Sequence, residues 1–183
     1  MMRLDNTDER YGTIAIAFHW LVAILIVGLL GLGLYMVRLP DVGFDKRKIT
    51  LVLWHKEYGM LVLVLAFARV VWRVRAVLPR LEPALPDWQK IAARFVHLCM
   101  YALMFALPLT GWLMSSADAI PVSFFGLGFL PDLVPKDDFL FRALLWIHKW
   151  LAYSMIAALA VHAGAALWHH FRAGDETLRR MLP

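Results

Sequence analysis

The chain has 183 residues, of which 61% are hydrophobic and 18% are charged, and its formal net charge is +5. The apolar residues are gathered into long runs instead of being spread at amphipathic spacing, which predicts an integral membrane protein. The positive charge does not indicate nucleic acid, because the basic residues are divided among several loops and form no single stripe. Cys99 is the single cysteine, which excludes an intrachain disulfide, a thiolate cluster and haem attachment through CxxCH.

Four apolar runs are long enough to cross a hydrocarbon layer of about 30 Å at the rise of an α-helix. In chain order we place them at about 14–37, 49–71, 92–114 and 141–171. The first run is longer than the apolar core of a cleaved signal, so we predict that it is retained. The connections are too short for separate domains. We therefore predict that residues 1–183 form one all-α, antiparallel, up-and-down four-helix membrane bundle.

Four crossings place both termini on one side of the membrane. That side carries slightly more Lys and Arg than the other, which favours cytoplasmic termini. The longest connection, residues 115–140, mixes aromatic residues with Gly and Pro and is expected to cover the opposite end of the bundle. Pro108 is expected to bend the third helix.

The last run contains two histidines that share one face of a helix. His148 and His162 are fourteen residues apart, which corresponds to about 21 Å of rise and nearly four full turns. The two imidazoles therefore face the same interior at opposite depths. The same fourteen-residue spacing occurs in the other three runs and joins His19 to Gly33, His55 to Arg69, and His97 to Gly111.

Because neighbouring helices run antiparallel, these eight positions sort into two layers. The outer layer is defined by Gly33, His55, Gly111 and His148, and the inner layer by His19, Arg69, His97 and His162. A single histidine in a membrane helix often serves only as a hydrogen-bonding group between helices. Histidines matched in depth on different helices instead favour a shared ligand. The glycines, Gly59 among them, suit either clearance for that ligand or ordinary helix packing.

The donor atoms of the two layers indicate which ligand they would hold. Zinc prefers three or four close ligands, commonly with carboxylate or thiolate among them, and neither layer contains such a group. Two opposed histidines supply both axial positions of a haem iron, and an apolar bundle interior buries the porphyrin. Two bis-histidine haems, with no open iron position, indicate electron transfer and not oxygen binding.

Four motifs are specific in combination: FHW at 18–20, WHKEYG at 54–59, HLCMYALMFALPLTGW at 97–112, and the fourth run with its two histidines and its LWHHF ending. Together they resemble the bacterial cytochrome b561 family, and within it the superoxide oxidase branch. The resemblance implies a dihaem cytochrome b in the bacterial inner membrane. It implies that His19 and His162 ligate the inner haem b, and that His55 and His148 ligate the outer one.

The resemblance also implies a ubiquinone contact at His169, which lies two turns beyond His162. His97 occupies the family's third-helix position and is expected near the quinone or next to a ligand. The layer argument alone leaves His97 open as a rival inner ligand.

For each of three cationic residues, the sequence leaves two alternative roles. Arg69 is either the partner of a haem propionate or a side chain that extends toward the interface. Lys56 and Lys149 each follow an outer ligand and belong to a positive outer mouth that would steer superoxide. Their alternative role is that of ordinary interfacial lysines.

The resemblance implies a superoxide:ubiquinone oxidoreductase that takes electrons at the periplasmic face and passes them through two haems to ubiquinone, giving ubiquinol. One alternative is a quinol-linked cytochrome b that serves a dehydrogenase or hydrogenase, or a periplasmic redox partner. A more distant alternative is a haem-free membrane transporter or assembly factor that uses its histidines as proton sites. The oligomeric state stays open.

Overall fold

The computed structural model describes residues 4–8, 10–40, 45–79 and 85–182. It contains four long helices, α1 (Thr13–Met36), α2 (Lys46–Arg75), α3 (Asp87–Ala117) and α4 (Asp138–Trp168), followed by a π-helical turn (His169–Ala173) and a 3₁₀ turn (Arg179–Met181). All four long helices have the length and apolar composition needed to cross a membrane. The prediction of an all-α four-helix membrane bundle is confirmed.

All four helices begin before the apolar runs from which they were predicted, and α2 and α3 also end after them, whereas α1 ends one residue earlier at Met36. The second run was placed at 49–71, but α2 begins three residues earlier and ends four residues later. Its first turn is held by the Asp45 carboxylate, which accepts hydrogen bonds from the backbone N–H groups of Arg47 and Lys48. Asp137 caps α4 in the same way. Hydrophobicity marks only the part of a helix within lipid, so these polar end turns are invisible to it.

The helices pack most extensively in chain order, α1 on α2, α2 on α3, and α3 on α4. In contrast, the backbone of α4 approaches those of α1 and α2 at few points. Side chains that join α4 to α1 or to α2 must therefore reach across the interior of the bundle.

The buried core lies at the middle of the bundle. Its cluster of buried side chains comprises Val22, Ile26, Val62, Ala66, Met104 and Met155. On each helix, one member of the cluster lies midway between the two layer positions that are fourteen residues apart. These four residues are Ile26, Val62, Met104 and Met155. Seven residues correspond to about 10 Å along a helix. Close packing thus occupies the mid-depth of the bundle, with one histidine layer on each side.

The connection between α3 and α4 folds over the outer end of the bundle. The Leu133 N–H donates to Ser116 Oγ, and Trp112 Nε1 donates to the Pro131 carbonyl. The Phe125 ring meets the Tyr58 ring of α2 edge-on at 5.3 Å between centroids. The expectation that this segment covers one end of the bundle agrees with these contacts.

We expect Met155→Ala to destabilise the bundle, because Met155 has 0% exposure and is surrounded by the central cluster. The cavity would cost about 2 kcal/mol through lost van der Waals contacts. Leu145→Ala on the same helix is the control, since Leu145 is 47% exposed. Thermal unfolding of the purified protein would measure both. Equal losses in the two variants would contradict a core at this depth.

Candidate functional site

In the outer layer, the imidazoles of His55 and His148 face each other from α2 and α4. Their ring centroids are 6.4 Å apart and their planes cross at 73°. A metal–nitrogen bond of about 2 Å, plus about 1 Å from the nitrogen to the ring centre, gives centroids about 6 Å apart for two imidazoles on opposite sides of one ion. The pair therefore has the separation that axial ligation of one iron requires.

Gly33 and Gly111 each lie against one of these two rings. A Cβ built at Gly33 would stand 3.4 Å from Cε1 of His55, and one built at Gly111 would stand 3.4 Å from Cε1 of His148. A Cβ at either position would therefore be in van der Waals contact with the ring, and a side chain longer than that of alanine would have to share space with the imidazole. In contrast, a Cβ at Gly59 would meet no atom within 4 Å, so no close approach in the structure requires glycine there.

The hydrogen bond between Thr110 and His148 decides which nitrogen of His148 is available. The Thr110 hydroxyl donates to the carbonyls of Ala106 and Leu107 at 2.8 and 2.9 Å, which uses its single proton. With that proton used on a carbonyl, its oxygen, 3.0 Å from Nδ1 of His148, is placed to accept from an Nδ1–H group. The lone pair of the neutral ring is then on Nε2, as metal ligation through that nitrogen requires.

His55 lacks such a hydrogen bond. Its Nδ1 is buried and has no hydrogen-bond partner among the described residues. A buried imidazole nitrogen without a partner is costly, so a ring in this state suits a site that binds a further group.

In the inner layer, three imidazoles lie close together. The centroids of His19 and His162 are 6.1 Å apart, and those of His97 and His162 are 5.2 Å apart. The first separation matches two rings on opposite sides of one ion, whereas the second is about 1 Å too short for that arrangement. The geometry therefore favours His19 over His97 as the partner of His162.

Arg69 reaches the inner layer directly. Its guanidinium nitrogen lies 3.2 Å from Nδ1 of His19 and can only donate, so in this contact Nδ1 is the acceptor. Ligation of a metal by Nε2 of His19 would require Arg69 to release Nδ1. An anionic group nearby, such as a carboxylate, would attract the guanidinium away from the ring. The guanidinium also lies 5.7 Å from the Tyr101 ring centre, and that of Arg73 lies 5.6 Å from it.

The two lysines that follow the outer ligands have different surroundings. Lys56 is half-buried, and its ammonium donates to Ser115 Oγ at 2.7 Å, which connects α2 to the outer end of α3. Lys149 is exposed on α4. Of the two, Lys149 is therefore the one that presents its charge at the surface.

His169 lies in the π-helical turn after α4, and Nδ1 of its ring is hydrogen-bonded to the Asp175 carboxylate. Nε2 has no hydrogen-bond partner among the described residues. The C-terminal segment that carries Asp175 is joined to α1 by a hydrogen bond of 2.7 Å from Trp20 Nε1 to the Met181 carbonyl. This end of the bundle is thus closed by residues that neither layer includes.

Sequence reasoning missed Thr110 and Asp175. Thr110 directly precedes Gly111, so its position beside the outer layer was readable, but a threonine in a helix commonly bonds its own backbone. Asp175 follows Gly174 just past the apolar run, where a turn is expected. Neither signal shows that a histidine from elsewhere is the partner.

The two layers would suit haem, whose iron takes two axial nitrogens and whose ring is apolar. Within the described part of the chain, no three His, Cys, Asp or Glu side chains are grouped to hold a bare metal ion. The matched centroid separations, the glycines beside the outer rings and the unpartnered His55 nitrogen all fit a bis-histidine haem. The residues present are therefore compatible with one haem in each layer.

Comparison with known proteins agrees with this chemistry. A family model described as prokaryotic cytochrome b561 matches residues 10–183. Cytochrome b561 homolog 2 of Escherichia coli (strain K12) is 40% identical over 99% of this chain and 95% of its own length. Cytochrome b561 homolog 1 of the same organism is 33% identical over 96% and 98%, respectively. The probable superoxide oxidase CybB of Yersinia pestis is 28% identical over 96% and 97%.

We expect Thr110→Val to loosen the outer site, because His148 would lose the acceptor that holds its Nδ1–H. Loss of such a supporting hydrogen bond typically weakens metal binding by about 10- to 100-fold. The measurement is haem retained per chain during dilution of the purified protein. Thr50→Val is the matched control, since among the described residues the Thr50 hydroxyl bonds only the Lys46 carbonyl, 2.9 Å away. Equal retention in both variants would contradict this role of Thr110.

Proposed function

The chain belongs to the prokaryotic cytochrome b561 family, a family of membrane electron-transfer proteins that bind haem b, and from this membership we propose that it is a superoxide:ubiquinone oxidoreductase. Two superoxide ions would each lose one electron and leave as oxygen. One ubiquinone would take up those two electrons and two protons to become ubiquinol. The probable superoxide oxidase among its relatives supports this direction of electron flow.

We propose that His55 and His148 hold the outer haem b and that His19 and His162 hold the inner one. The observation that carries the proposal is the pair of centroid separations, 6.4 and 6.1 Å, at two depths fourteen residues apart on α4. When bound, the haems would supply one-electron transfer across the bundle. The chain itself would hold the imidazoles, exclude water and set the distance between the layers.

At the outer end, the charge of the surface would favour an anionic substrate. Lys149 is exposed beside an outer ligand, and Arg47 and Lys136 are exposed at the same end of the bundle. The ammonium of Lys56 is less accessible because it is bound to Ser115. A positive surface raises the encounter rate of small anions. We assign steering of superoxide to Lys149 first and only secondarily to Lys56.

At the inner end, we propose that ubiquinone binds near His169, with His97 beside the inner pair. His169 lies seven residues beyond His162, and its Nε2 has no partner among the described residues. Arg69 would pair with a haem propionate once it releases His19. We place both termini in the cytoplasm and this end toward the cytoplasmic face of the bacterial inner membrane, as the distribution of Lys and Arg favours.

A second candidate function is electron transfer in the opposite direction, from quinol to a partner protein. The names of the two relatives of 40% and 33% identity state only that they are cytochrome b561 homologs and specify no electron donor. The same two layers would serve either direction, so the donor decides between the two functions.

Mixing of the oxidised, haem-loaded protein with superoxide would test the proposed donor. We expect reduction of the haem bands to be much faster than in an unrelated bis-histidine cytochrome and to slow as ionic strength rises. Lys149→Gln should lower the rate constant roughly threefold by weakening the local field. If the rate equals that of the unrelated cytochrome, the quinol-oxidising function replaces this one.

Haem content per chain would test the two-layer assignment independently of the donor. We expect two haems in the wild type and one in His55→Ala, because the outer iron would lose an axial ligand. His170→Ala serves as the control, since His170 lies next to the inner end and belongs to neither layer. A single haem in the wild type, or two in His55→Ala, would refute the assignment.

A further inference from the structure

We propose that Asp175 is a positioning residue for His169 and that the two side chains together deliver protons to the quinone. This inference rests on the quinone half of the proposed function and deepens it, because it names the group that holds the proton. It does not depend on which molecule donates electrons at the outer end.

The geometry of the pair is well defined. One Asp175 oxygen, Oδ2, is hydrogen-bonded to Nδ1 of His169, and the other, Oδ1, accepts the backbone N–H of Thr177 at 2.9 Å. The two side chains are only 13% and 16% exposed. Both carboxylate oxygens therefore have partners, and the carboxylate is held in a single orientation against the ring.

The backbone is shaped to bring Asp175 back to His169. The helix widens into the π-helical turn at His169, and Gly174 then adopts φ 68°, a left-handed conformation that favours glycine. This reverses the chain, and the Asp175 N–H donates to the His169 carbonyl at 3.3 Å. Asp175 thus contacts both the backbone and the side chain of His169.

The pair decides which nitrogen of His169 exchanges a proton. An ionised carboxylate only accepts hydrogen bonds, so Nδ1 must carry the hydrogen and Nε2 is left to take up or release a proton. Burial of Asp175 acts to raise the pKa of its carboxyl, but hydrogen bonds from Thr177 and His169 outweigh it and hold the pKa below its usual value.

Nε2 of His169 lies at the inner end of the bundle. His169 lies seven residues after His162, which corresponds to nearly the same face of a helix. The bond from Trp20 to the Met181 carbonyl draws the segment that carries Asp175 across to α1, beside His19. The edge of the Trp168 ring borders His169 at 5.0 Å between centroids. The pair therefore lies about 10 Å beyond His162, at the inner end of the bundle.

The chemistry that this pair would perform is a proton transfer. Quinone accepts two electrons, supplied by the donor reaction, and two protons. For each proton that passes through the pair, the Nε2–H bond of His169 breaks and an O–H bond forms on a quinone oxygen. His169 is then reprotonated from water at the inner face, while Asp175 stays ionised.

A purely structural role for Asp175 is to close the turn after Gly174, which its bond to the Thr177 N–H already does. Asp175→Asn separates the two roles. Its amide oxygen can still accept the Thr177 N–H, but the negative charge that faces His169 is lost. Asp175→Glu restores the charge. Glu176→Gln is the matched control, since Glu176 pairs with exposed Arg179 at 3.0 Å.

Two half-reactions of the haem-loaded protein should be measured by rapid mixing. One is oxidation of the reduced protein by ubiquinone, and the other is reduction of the oxidised protein by superoxide. In Asp175→Asn we expect the maximal rate of the quinone step to fall about 10- to 100-fold, with a much smaller change in the quinone concentration at half-maximal rate. The superoxide step should be unchanged. Asp175→Glu should recover part of the rate, and Glu176→Gln should match the wild type.

Nitrogen NMR of isotope-labelled histidine gives a readout that does not depend on turnover. We expect the His169 ring to carry its proton on Nδ1 in the wild type and to become a mixture of tautomers in Asp175→Asn. A single unchanged tautomer in that variant would overturn the positioning role, even if the rates differed.

The kinetic outcomes separate this inference from the proposed function. If Asp175→Asn leaves the quinone step unchanged, or slows both steps equally, the inference is overturned while superoxide oxidation stands. If the wild type fails to react with superoxide but its quinone step depends on Asp175, the donor assignment fails and the inference stands. If the reduced wild type is not oxidised by ubiquinone at all, the inference is overturned as well.

Discussion

The architecture depends on imidazoles from separate helices meeting at a common depth within the membrane. An imidazole buried among apolar side chains is costly unless its nitrogens are bound. In His148, Nδ1 is hydrogen-bonded to Thr110, and the ring faces that of His55. His55, whose Nδ1 lacks a partner among the described residues, does not meet this requirement alone. A metal ion held between the two rings would bind one nitrogen of each, which would account for the way they face each other.

The central core divides the bundle into two sites. Met155 and Met104 stand midway between the layers and belong to the one buried cluster found among the described residues. Each layer instead contains glycines or polar side chains. Rigid packing at mid-depth would hold the two layers at a constant separation, whatever is bound at either end. Electron transfer requires such constancy because its rate is sensitive to distance.

The two ends of the molecule differ in the chemistry that surrounds the layers. The outer end has the covering segment between α3 and α4, with the Lys56 ammonium bound to Ser115 beneath it. The inner end has Arg69 and Arg73 around Tyr101, and the paired His169 and Asp175. The outer end thus offers charge at its surface, whereas the inner end offers a histidine with one nitrogen free. This asymmetry suits a one-electron donor at one side and a proton-requiring acceptor at the other.

The sequence alone predicted the four spans and the depth of every histidine, because both depend on local helix geometry and on the length of apolar runs. The pairing of His55 with His148 was also expected, but His97 remained a rival of His19, and the ring separations of 5.2 and 6.1 Å favour His19. Helix ends were placed too short, since capping by Asp45 depends on hydrogen bonds and not on hydropathy. Only the tertiary structure decided the bonds from Thr110 to His148 and from Asp175 to His169. The first requires two helices to approach each other, and spacing along one helix carries no information about its neighbour. The second depends on the reversal of the chain at Gly174, which apolar periodicity does not show.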